Sequence, residues 1–161
     1  MSLNDGVVLE LDLGNTRLKW RVLVEGALLG GGFFVRSDYR DLGACLLGLS
    51  AELRQLQLGG PVSVVRVASV ASAQSNESLE CWGRHEFGLC VRFARVSREC
   101  AGVVNGYSDW ARLGVDRWLA ILAAQQLAPE GFCVVDCGSA VTLDVVRAGN
   151  HLGGYIVPGL R

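Results

Sequence analysis

The stretch VVLELDLGNTRLKWRVLV, residues 7–24, predicts two β-strands joined by a tight turn at Gly14 and Asn15. Glycine followed by asparagine between two β-rich runs is typical of a two-residue hairpin turn, in which both central residues take a positive φ. Such a turn sets a register in which Asp12 lies opposite Arg17. The rest of the chain is expected to be organised around this hairpin.

The two strands of the hairpin divide their side chains between an apolar face and a charged face, because side chains alternate along a strand. The apolar face is formed by Leu9, Leu11, Leu18, Trp20 and Val22. The charged face is formed by Glu10, Asp12, Arg17, Lys19 and Arg21. Burying the charged face is costly unless its charges meet partners, a metal or a ligand.

The turn itself carries groups that suit phosphate oxygens. A tight turn presents free backbone N–H groups, and here the Asn15 amide, the Thr16 hydroxyl and the Lys19 ammonium lie nearby. The Asp12 carboxylate beside them can orient Mg²⁺ through water. The alternative is an ordinary hairpin with a charged outer face, and this stretch alone leaves both interpretations open.

A second copy of the pattern favours the phosphate-binding interpretation. Residues 132–146, FCVVDCGSAVTLDVV, repeat an apolar strand, Asp136, Gly138, small hydroxyl residues and another strand. A duplicated unit of this kind indicates two related subdomains that face one another across a nucleotide.

Composition and charge exclude several classes of protein. The chain has 161 residues, 50% of them hydrophobic, and a net charge of -1. This length suits one ordinary domain, or a small domain with part of another. The lack of a broad basic field argues against nucleic acid and anionic lipid as partners. Without a signal peptide or an apolar run of membrane-spanning length, a cytoplasmic protein that does not contact the membrane is expected.

Cysteine and histidine residues indicate no metal centre. The six cysteines include no CxxC pair and are expected to be small core residues in a reducing compartment. His85 precedes Glu86, but a zinc-protease helix needs a second histidine three residues after the glutamate, and this chain has none there.

The remaining pattern alternates strands and helices, which predicts an α/β protein with a right-handed crossover sheet. Three glycines at 30–32 indicate a bulge or a close backbone approach in the third strand. The apolar periodicity predicts strands at 27–35, 62–70, 89–96 and 151–159, helices at 39–58, 75–87 and 117–127, and a loop at 97–107. Asp116 and Arg117 start the last helix, where an isolated carboxylate is typically a helix cap that contributes about 1 kcal/mol.

Five motifs, in this order, resemble the type III pantothenate kinases over the whole chain. They are DLGNTRLK at 12–19, NGY at 105–107, LGVDR at 113–117, DCGS at 136–139 and GGYIVPG at 153–159. The resemblance implies the ribonuclease H-like, actin-like ATPase fold, an α/β fold in which a mixed sheet with flanking helices is duplicated. That superfamily includes acetate and sugar kinases, heat-shock ATPases and actin.

The resemblance implies a phosphotransferase that uses ATP and Mg²⁺ to convert pantothenate to 4′-phosphopantothenate, the first step of coenzyme A biosynthesis. It assigns ATP binding to Asp12, Leu13, Gly14, Asn15, Thr16, Arg17, Leu18, Lys19 and Ser139. It assigns pantothenate binding to Tyr107, Gly114, Val115, Asp116 and Arg117. Asp116 would be the general base, Asp12 would lie near Mg²⁺, and Asp136 would help to bind a monovalent cation, K⁺ or NH₄⁺.

The resemblance also implies a homodimer built on the helix that follows Asp116. It divides the chain into an actin-like subdomain at 1–111 and, at 112–161, a linking helix with the opening strands of a second, incomplete subdomain. Family members continue past the proline-glycine turn, so a fragment with an unpaired sheet edge and little kinase activity by itself is expected. Ser139 stands where the family commonly has threonine, and it keeps the hydroxyl.

Two other functions stay open. Some relatives were first described as Bvg accessory factors, which implies a transcriptional regulator, and the short second subdomain allows an inactive nucleotide-binding or dimerisation module. A regulator without catalysis has no need to combine Asp12, Asp116, Arg117 and Asp136, all of which are present. The net charge of -1 also argues against direct contact with DNA.

Overall fold

A computed structural model of the protein describes residues 6–159, which form two compact units that meet between Ala94 and Arg95. The first unit contains a five-stranded sheet and two helices. Its strands are β1 (Val7–Leu13), β2 (Arg17–Val24), β3 (Ala27–Val35), β4 (Val62–Ser69) and β5 (Arg92–Phe93). The sheet order is β3-β2-β1-β4-β5, with β1 to β3 antiparallel and with β4 parallel to both β1 and β5. The helices are α1 (Leu42–Gln55) and α2 (Ala73–Phe87).

The β1–β2 hairpin has the predicted faces but a different register. All five residues of the predicted apolar face are buried, and they pack with side chains of α1 and α2 in one core. Asp12 lies opposite Lys19, however, and the predicted pairing of Asp12 with Arg17 is wrong. The register differs by two residues on one strand, and an even shift leaves every side chain on its predicted face.

The turn of this hairpin is longer than predicted. Leu13 pairs with Leu18, and the Gly14 N–H donates to the Arg17 carbonyl oxygen at 3.0 Å. Neither Gly14 nor Asn15 has a positive φ, so the predicted two-residue turn is wrong. Tight turns with two positive φ angles occur elsewhere, for example at Glu25 and Gly26 between β2 and β3, with φ of 51° and 82°.

The glycines of β3 confirm both predictions made for them. The register shifts between Val22 and Leu23, which leaves Leu29 as the extra residue of a bulge. A Cβ atom at Gly31 would lie 2.8 Å from the Trp20 carbonyl oxygen, so only glycine allows the two backbones to approach this closely. Of the other first-unit predictions, the helices are confirmed with different ends, whereas the strand predicted at 89–96 is reduced to β5.

The second unit contains another five-stranded sheet and one long helix. Its elements are β6 (Glu99–Cys100), β7 (Val103–Val104), α3 (Val115–Leu127), β8 (Gly131–Cys137), β9 (Ala140–Arg147) and β10 (Asn150–Pro158). The sheet order is β6-β7-β10-β9-β8, and the predicted loop at 97–107 therefore contains two short strands. Because β7 pairs with β10, the unit begins at Arg95, earlier than the predicted boundary after residue 111.

The duplication predicted from the sequence is visible in the topology. Strands β8, β9 and β10 form an antiparallel meander in the same order as β1, β2 and β3. Asp136 occupies in β8 the position that Asp12 occupies in β1, one residue before the last of the strand. Within the described residues β8 pairs only with β9, whereas β1 pairs with both β2 and β4.

The cysteine prediction is wrong for five of the six residues. Cys45 is buried in α1, whereas Cys81, Cys90, Cys100, Cys133 and Cys137 are exposed. Cys133 and Cys137 show why, since they lie on the alternate residues of β8 that face outward. Between residues 6 and 159, none of the helices combines the length and the hydropathy that crossing a membrane requires.

Candidate active site

The turn after β1 presents backbone N–H groups toward solvent. The Arg36 guanidinium donates from Nη1 to the carbonyl oxygens of Gly14 at 2.9 Å and Asn15 at 3.3 Å, and the Arg36 N–H donates to the Thr16 carbonyl oxygen at 2.8 Å. The N–H groups of Asn15 and Thr16 donate to no acceptor within residues 6–159. Unpaired, adjacent N–H groups of this kind can accept an anion.

Charged side chains flank this turn. The Lys19 Nζ lies 3.2 Å from the Asp12 Oδ2, and both side chains are about half exposed, at 58% and 42%. The Arg17 guanidinium lies over the Phe33 ring, 4.8 Å from its centroid. Lys19 and Asp12 therefore form an exposed ion pair on the strands that lead into and out of the turn.

Two of the residues predicted to bind ATP contribute differently from the others. Leu13 and Leu18 are fully buried in the core of the first unit. Asn15, Thr16, Arg17 and Lys19 are exposed, and Asp12 and Gly14 are partly exposed. The side chains of Leu13 and Leu18 therefore support the turn from beneath, and the polar groups available to a ligand belong to its neighbours.

Asp116 lies in the first turn of α3, and its carboxylate is exposed. The helix is capped by Gly114 without a side-chain bond, so the plain interpretation of Asp116 as the cap is wrong. Instead the Asp116 Oδ1 accepts a hydrogen bond from the Arg117 N–H at 2.8 Å. A Cβ atom at residue 114 would lie 2.5 Å from that oxygen, so the carboxylate can fold back only over glycine. Val115 is buried and anchors this turn in the core.

Arg117 is the centre of a buried polar cluster that the sequence did not predict. Its guanidinium donates from Nε and Nη2 to the two carboxylate oxygens of Asp144, at 2.8 and 2.6 Å. The hydrogen bonds that Arg117 donates to Asp144 raise the pKa of Arg117 against the opposing effect of burial, so Arg117 is charged. Arg117 and Asp144 are 6% and 1% exposed, which makes this a desolvated, bidentate ion pair.

His151 completes the cluster. Its Nε2 lies 2.8 Å from the Asp144 Oδ1, and its Nδ1 accepts a hydrogen bond from the Gly106 N–H at 3.5 Å. With the Gly106 N–H donating to Nδ1, the Nε2–H is the group that donates to the Asp144 carboxylate. The Tyr107 ring stacks on His151 with centroids 5.7 Å apart, and the Arg117 guanidinium lies 5.9 Å from the Tyr107 centroid. The second unit thus brings together the predicted residues Tyr107, Asp116 and Arg117.

Asp144 and His151 had signals in the sequence that pattern analysis passed over. Asp144 is the only charged residue in the run AVTLDVV at 140–146, and an aspartate inside an apolar strand is seldom buried without a partner. His151 starts the last predicted strand. Their common partner, Arg117, comes from a helix distant in sequence, and only the folded chain reveals it.

Asp136 and Ser139 lie at the exposed end of the β8–β9 hairpin. The Asp136 carboxylate makes no hydrogen bond or ion pair with the described residues, and the Ser139 carbonyl oxygen accepts from the Gly159 N–H at 3.1 Å. No group of three or more His, Cys, Asp or Glu side chains suited to a metal ion occurs in residues 6–159. A cation at either turn would therefore need ligands from water or from a bound phosphate as well as from the protein.

Gly154 of β10 provides a direct test of the buried cluster. A Cβ atom at residue 154 would overlap the Leu143 carbonyl oxygen and the Asp144 Oδ1, and would lie 2.5 Å from the Arg117 Nη2. We expect Gly154→Ala to lower the free energy of unfolding by about 1–3 kcal/mol, as overpacking of a filled site does. The measurement is urea unfolding followed by circular dichroism.

The matched control for Gly154→Ala is Gly60→Ala. A Cβ atom at residue 60 meets no atom within 4 Å, and the backbone there has no positive φ. Its urea midpoint should stay close to that of the unchanged chain. Equal midpoints for the two variants would show that the Arg117–Asp144 pair yields to an added methyl group, contrary to the packing described above.

Comparison with known proteins identifies the family. Residues 8–161 match the sequence profile of the type III pantothenate kinases. The chain belongs to this family. The type III pantothenate kinase of Pseudomonas paraeruginosa strain PA7 is 44% identical over 155 residues, and that of Pseudomonas putida strain F1 is 43% identical over 156 residues. Each alignment covers 96% of this chain and 59% of the relative, so the chain spans about three-fifths of the length of these kinases.

Solved structures confirm the predicted fold class. A Campylobacter jejuni protein described as a Baf family transcriptional activator aligns with a TM-score of 0.51 and 20% identity, over 94% of this chain and 55% of that one. MreB5 of Spiroplasma citri bound to ADP aligns with a TM-score of 0.50 and 13% identity, over 96% of this chain and 53% of that one. At these identities the likeness concerns the fold alone. This type III pantothenate kinase chain has the actin-like ATPase fold.

Proposed function

We propose that this chain takes part in the ATP-dependent phosphorylation of pantothenate to 4′-phosphopantothenate, the first step of coenzyme A biosynthesis. The observation that carries the proposal is the exposed Asp116 carboxylate, held at the first turn of α3 in a chain of the type III pantothenate kinase family. An exposed carboxylate next to a fixed arginine suits the removal of a proton from an alcohol.

The proposed reaction assigns Asp116 the role of general base. The Arg117 N–H occupies the Asp116 Oδ1, which leaves Oδ2 free to accept the proton of the primary hydroxyl of pantothenate. The hydroxyl oxygen then forms a bond to the γ-phosphorus of ATP as the bond from that phosphorus to the bridging β–γ oxygen breaks, and ADP leaves. Positioning and charge neutralisation provide most of the catalysis in such a transfer.

The proposed phosphate-binding turn consists of residues 12–19 of the first unit, and Ser139 is the residue of the second unit that is proposed to bind ATP. The unpaired N–H groups of Asn15 and Thr16 and the Lys19 ammonium would bind phosphate oxygens. The Asp12 carboxylate would hold Mg²⁺ through water, consistent with its exposure. When bound, Mg²⁺ neutralises charge on the β- and γ-phosphate oxygens.

The proposed pantothenate site consists of Tyr107 with the turn that runs from Gly114 to Arg117. Asp144 occupies Nε and Nη2 of Arg117, and Tyr107 also hydrogen-bonds with the guanidinium, so Arg117 would reach the substrate with the N–H groups that these partners leave. The Asp144 charge already compensates the guanidinium, so this contact would orient the substrate more than it would attract it.

The cation and the oligomeric state belong to the same proposal. The Asp136 carboxylate, which has no ion-pair partner in residues 6–159, would bind K⁺ or NH₄⁺. Leu119 and Leu127 are 38% and 87% exposed on α3, which suits a helix that joins two subunits of a homodimer. We propose a cytoplasmic location for the enzyme. The alternative is a Bvg accessory factor-type regulator. The likeness to the Campylobacter jejuni protein does not favour it, because that likeness concerns only the fold.

The test is a coupled assay of ADP release with pantothenate, with and without K⁺. The type III pantothenate kinase of Pseudomonas paraeruginosa serves as the reference for a full rate. We expect ADP release that depends on pantothenate and rises with K⁺, at a rate well below the reference. A chain that releases no ADP, and that binds neither ATP nor pantothenate in calorimetry, would contradict the proposal.

A further inference from the structure

Arg36 holds three consecutive carbonyl groups of the turn after β1. Arg36 directly follows β3 and is the first residue of a short 3₁₀ helix, Arg36–Asp38. Its side chain donates hydrogen bonds to the Gly14 and Asn15 carbonyl oxygens, and its backbone N–H donates to the Thr16 carbonyl oxygen. A single residue therefore fixes the orientation of three successive peptide planes.

The orientation of these planes determines which way the turn presents its N–H groups. In a trans peptide the C=O and the N–H point in opposite directions, and the described residues contain no cis peptide bond. With the carbonyl oxygens of Gly14 and Asn15 turned toward Arg36, the N–H groups of Asn15 and Thr16 point away from it. Those two N–H groups have no acceptor in residues 6–159.

We propose that Arg36 is a positioning residue for the phosphate-binding turn, and that it orients the Asn15 and Thr16 N–H groups toward the phosphates of a nucleoside triphosphate. The inference rests on the proposed function, since it concerns the same turn. Without the guanidinium, the Gly14 and Asn15 peptide planes would be free to rotate, because glycine and asparagine tolerate several backbone conformations. Arg36 would then act on binding through the backbone.

The surroundings of Arg36 supply a matched control. Arg40 lines the same cavity, of about 330 Å³, but its side chain pairs with Asp41 at 3.0 Å and does not contact the turn. Arg36→Ala and Arg40→Ala therefore remove the same charge from the same region, whereas only Arg36→Ala removes the hydrogen bonds to the Gly14 and Asn15 carbonyl oxygens. The cavity also gives a dissolved guanidinium ion access to the space that Arg36→Ala leaves.

The experiment measures binding of Mg²⁺-ATP to the full chain by calorimetry. We expect Arg36→Ala to weaken binding about 10- to 100-fold, the size that hydrogen bonds to a charged group produce, and Arg40→Ala to change it by about twofold or less. Arg36→Lys keeps the charge but carries its N–H groups on a shorter side chain than arginine, so it should restore only part of the affinity. Added guanidinium should strengthen ATP binding to Arg36→Ala and leave Arg40→Ala unchanged.

A second measurement needs no nucleotide. In ¹H–¹⁵N spectra the amide signals of Asn15 and Thr16 should move in Arg36→Ala and stay in place in Arg40→Ala. If the chain without any substitution binds no ATP, both the proposed function and the inference about Arg36 are overturned. ATP binding by the unchanged chain that Arg36→Ala and Arg40→Ala weaken equally, or an Arg36→Ala variant with unmoved amide signals, would overturn the inference about Arg36 alone.

Discussion

Replacing Asp116 with asparagine is expected to lower pantothenate-dependent turnover by about 10²- to 10⁴-fold, the range of a general base in catalysis, while the affinity for ATP stays the same. Asparagine has nearly the same shape, and its Oδ1 can still accept from the Arg117 N–H that now holds the carboxylate at 2.8 Å. What the variant loses is the free Oδ2, which is the proposed proton acceptor. The measurement is the coupled ADP-release assay, with calorimetry for ATP.

The control for Asp116→Asn is Asp109→Asn. Asp109 is an exposed aspartate of the same segment, and its side chain makes no capping bond to the short helix that follows it. The Asp109→Asn variant loses the same charge but leaves α3 unchanged, so its turnover should match that of the unchanged chain. Near-normal turnover of Asp116→Asn would remove Asp116 from the role of base.

Replacing Asp144 with alanine is expected to destabilise the second unit by about 3–5 kcal/mol, the usual cost of removing one member of a buried ion pair. The variant leaves the Arg117 guanidinium 6% exposed and without its partner, and His151 loses the acceptor of its Nε2. The measurement is the free energy of unfolding from urea titration. Glu130→Ala, which removes an exposed carboxylate from the same unit, should change that free energy by less than about 0.5 kcal/mol.

The pH dependence of the Asp144 effect follows from the direction of the Arg117 pKa. That pKa is raised, chiefly by the hydrogen bonds that Arg117 donates to Asp144. A group whose pKa is raised on folding contributes stability that is fully present below its ordinary pKa and is lost as the pH rises through the folded pKa. For an arginine this loss lies at strongly alkaline pH, so the loss of stability in Asp144→Ala should be constant across the neutral range.

A double variant separates the ion pair from the space it fills. Arg117→Met with Asp144→Leu removes both charges and keeps apolar volume, which is often neutral for a buried pair. We expect it to recover most of the stability that Asp144→Ala loses, but not the binding of pantothenate. Equal stability of Asp144→Ala and the unchanged chain would mean that water hydrates the Arg117 guanidinium inside the fold, contrary to its burial.

The hairpin at 7–24 illustrates how far sequence reasoning reaches. Alternation along the strands predicted the buried face of β1 and β2, since a side chain's face depends only on the parity of its position. The turn geometry could not be predicted in the same way. The carbonyl groups of Gly14 and Asn15 accept hydrogen bonds from Arg36, which lies two strands further along the chain, and this contact favours a longer turn over the two-residue turn that the local residues suggest.

The candidate site divides along the same line. Asp116, Arg117, Tyr107 and the turn at 12–19 follow from short motifs, in which residue type and spacing carry the signal. The partners of Arg117 do not, because Asp144 and His151 lie on two different strands. The exposed cysteines were also missed, since an apolar neighbourhood in sequence does not reveal which face of a strand is covered.

The sequence by itself determined the family, the fold class, the duplicated strand-turn-strand units and the short segments that carry the candidate chemistry, because these depend on local pattern and residue type. Only the tertiary structure decided the pairing of Arg117 with Asp144, the contact of His151 with Asp144 and the hydrogen bonds of Arg36 to the turn after β1. Each of those joins groups that are distant in the chain, and their energies depend on distance and burial, which no local pattern encodes.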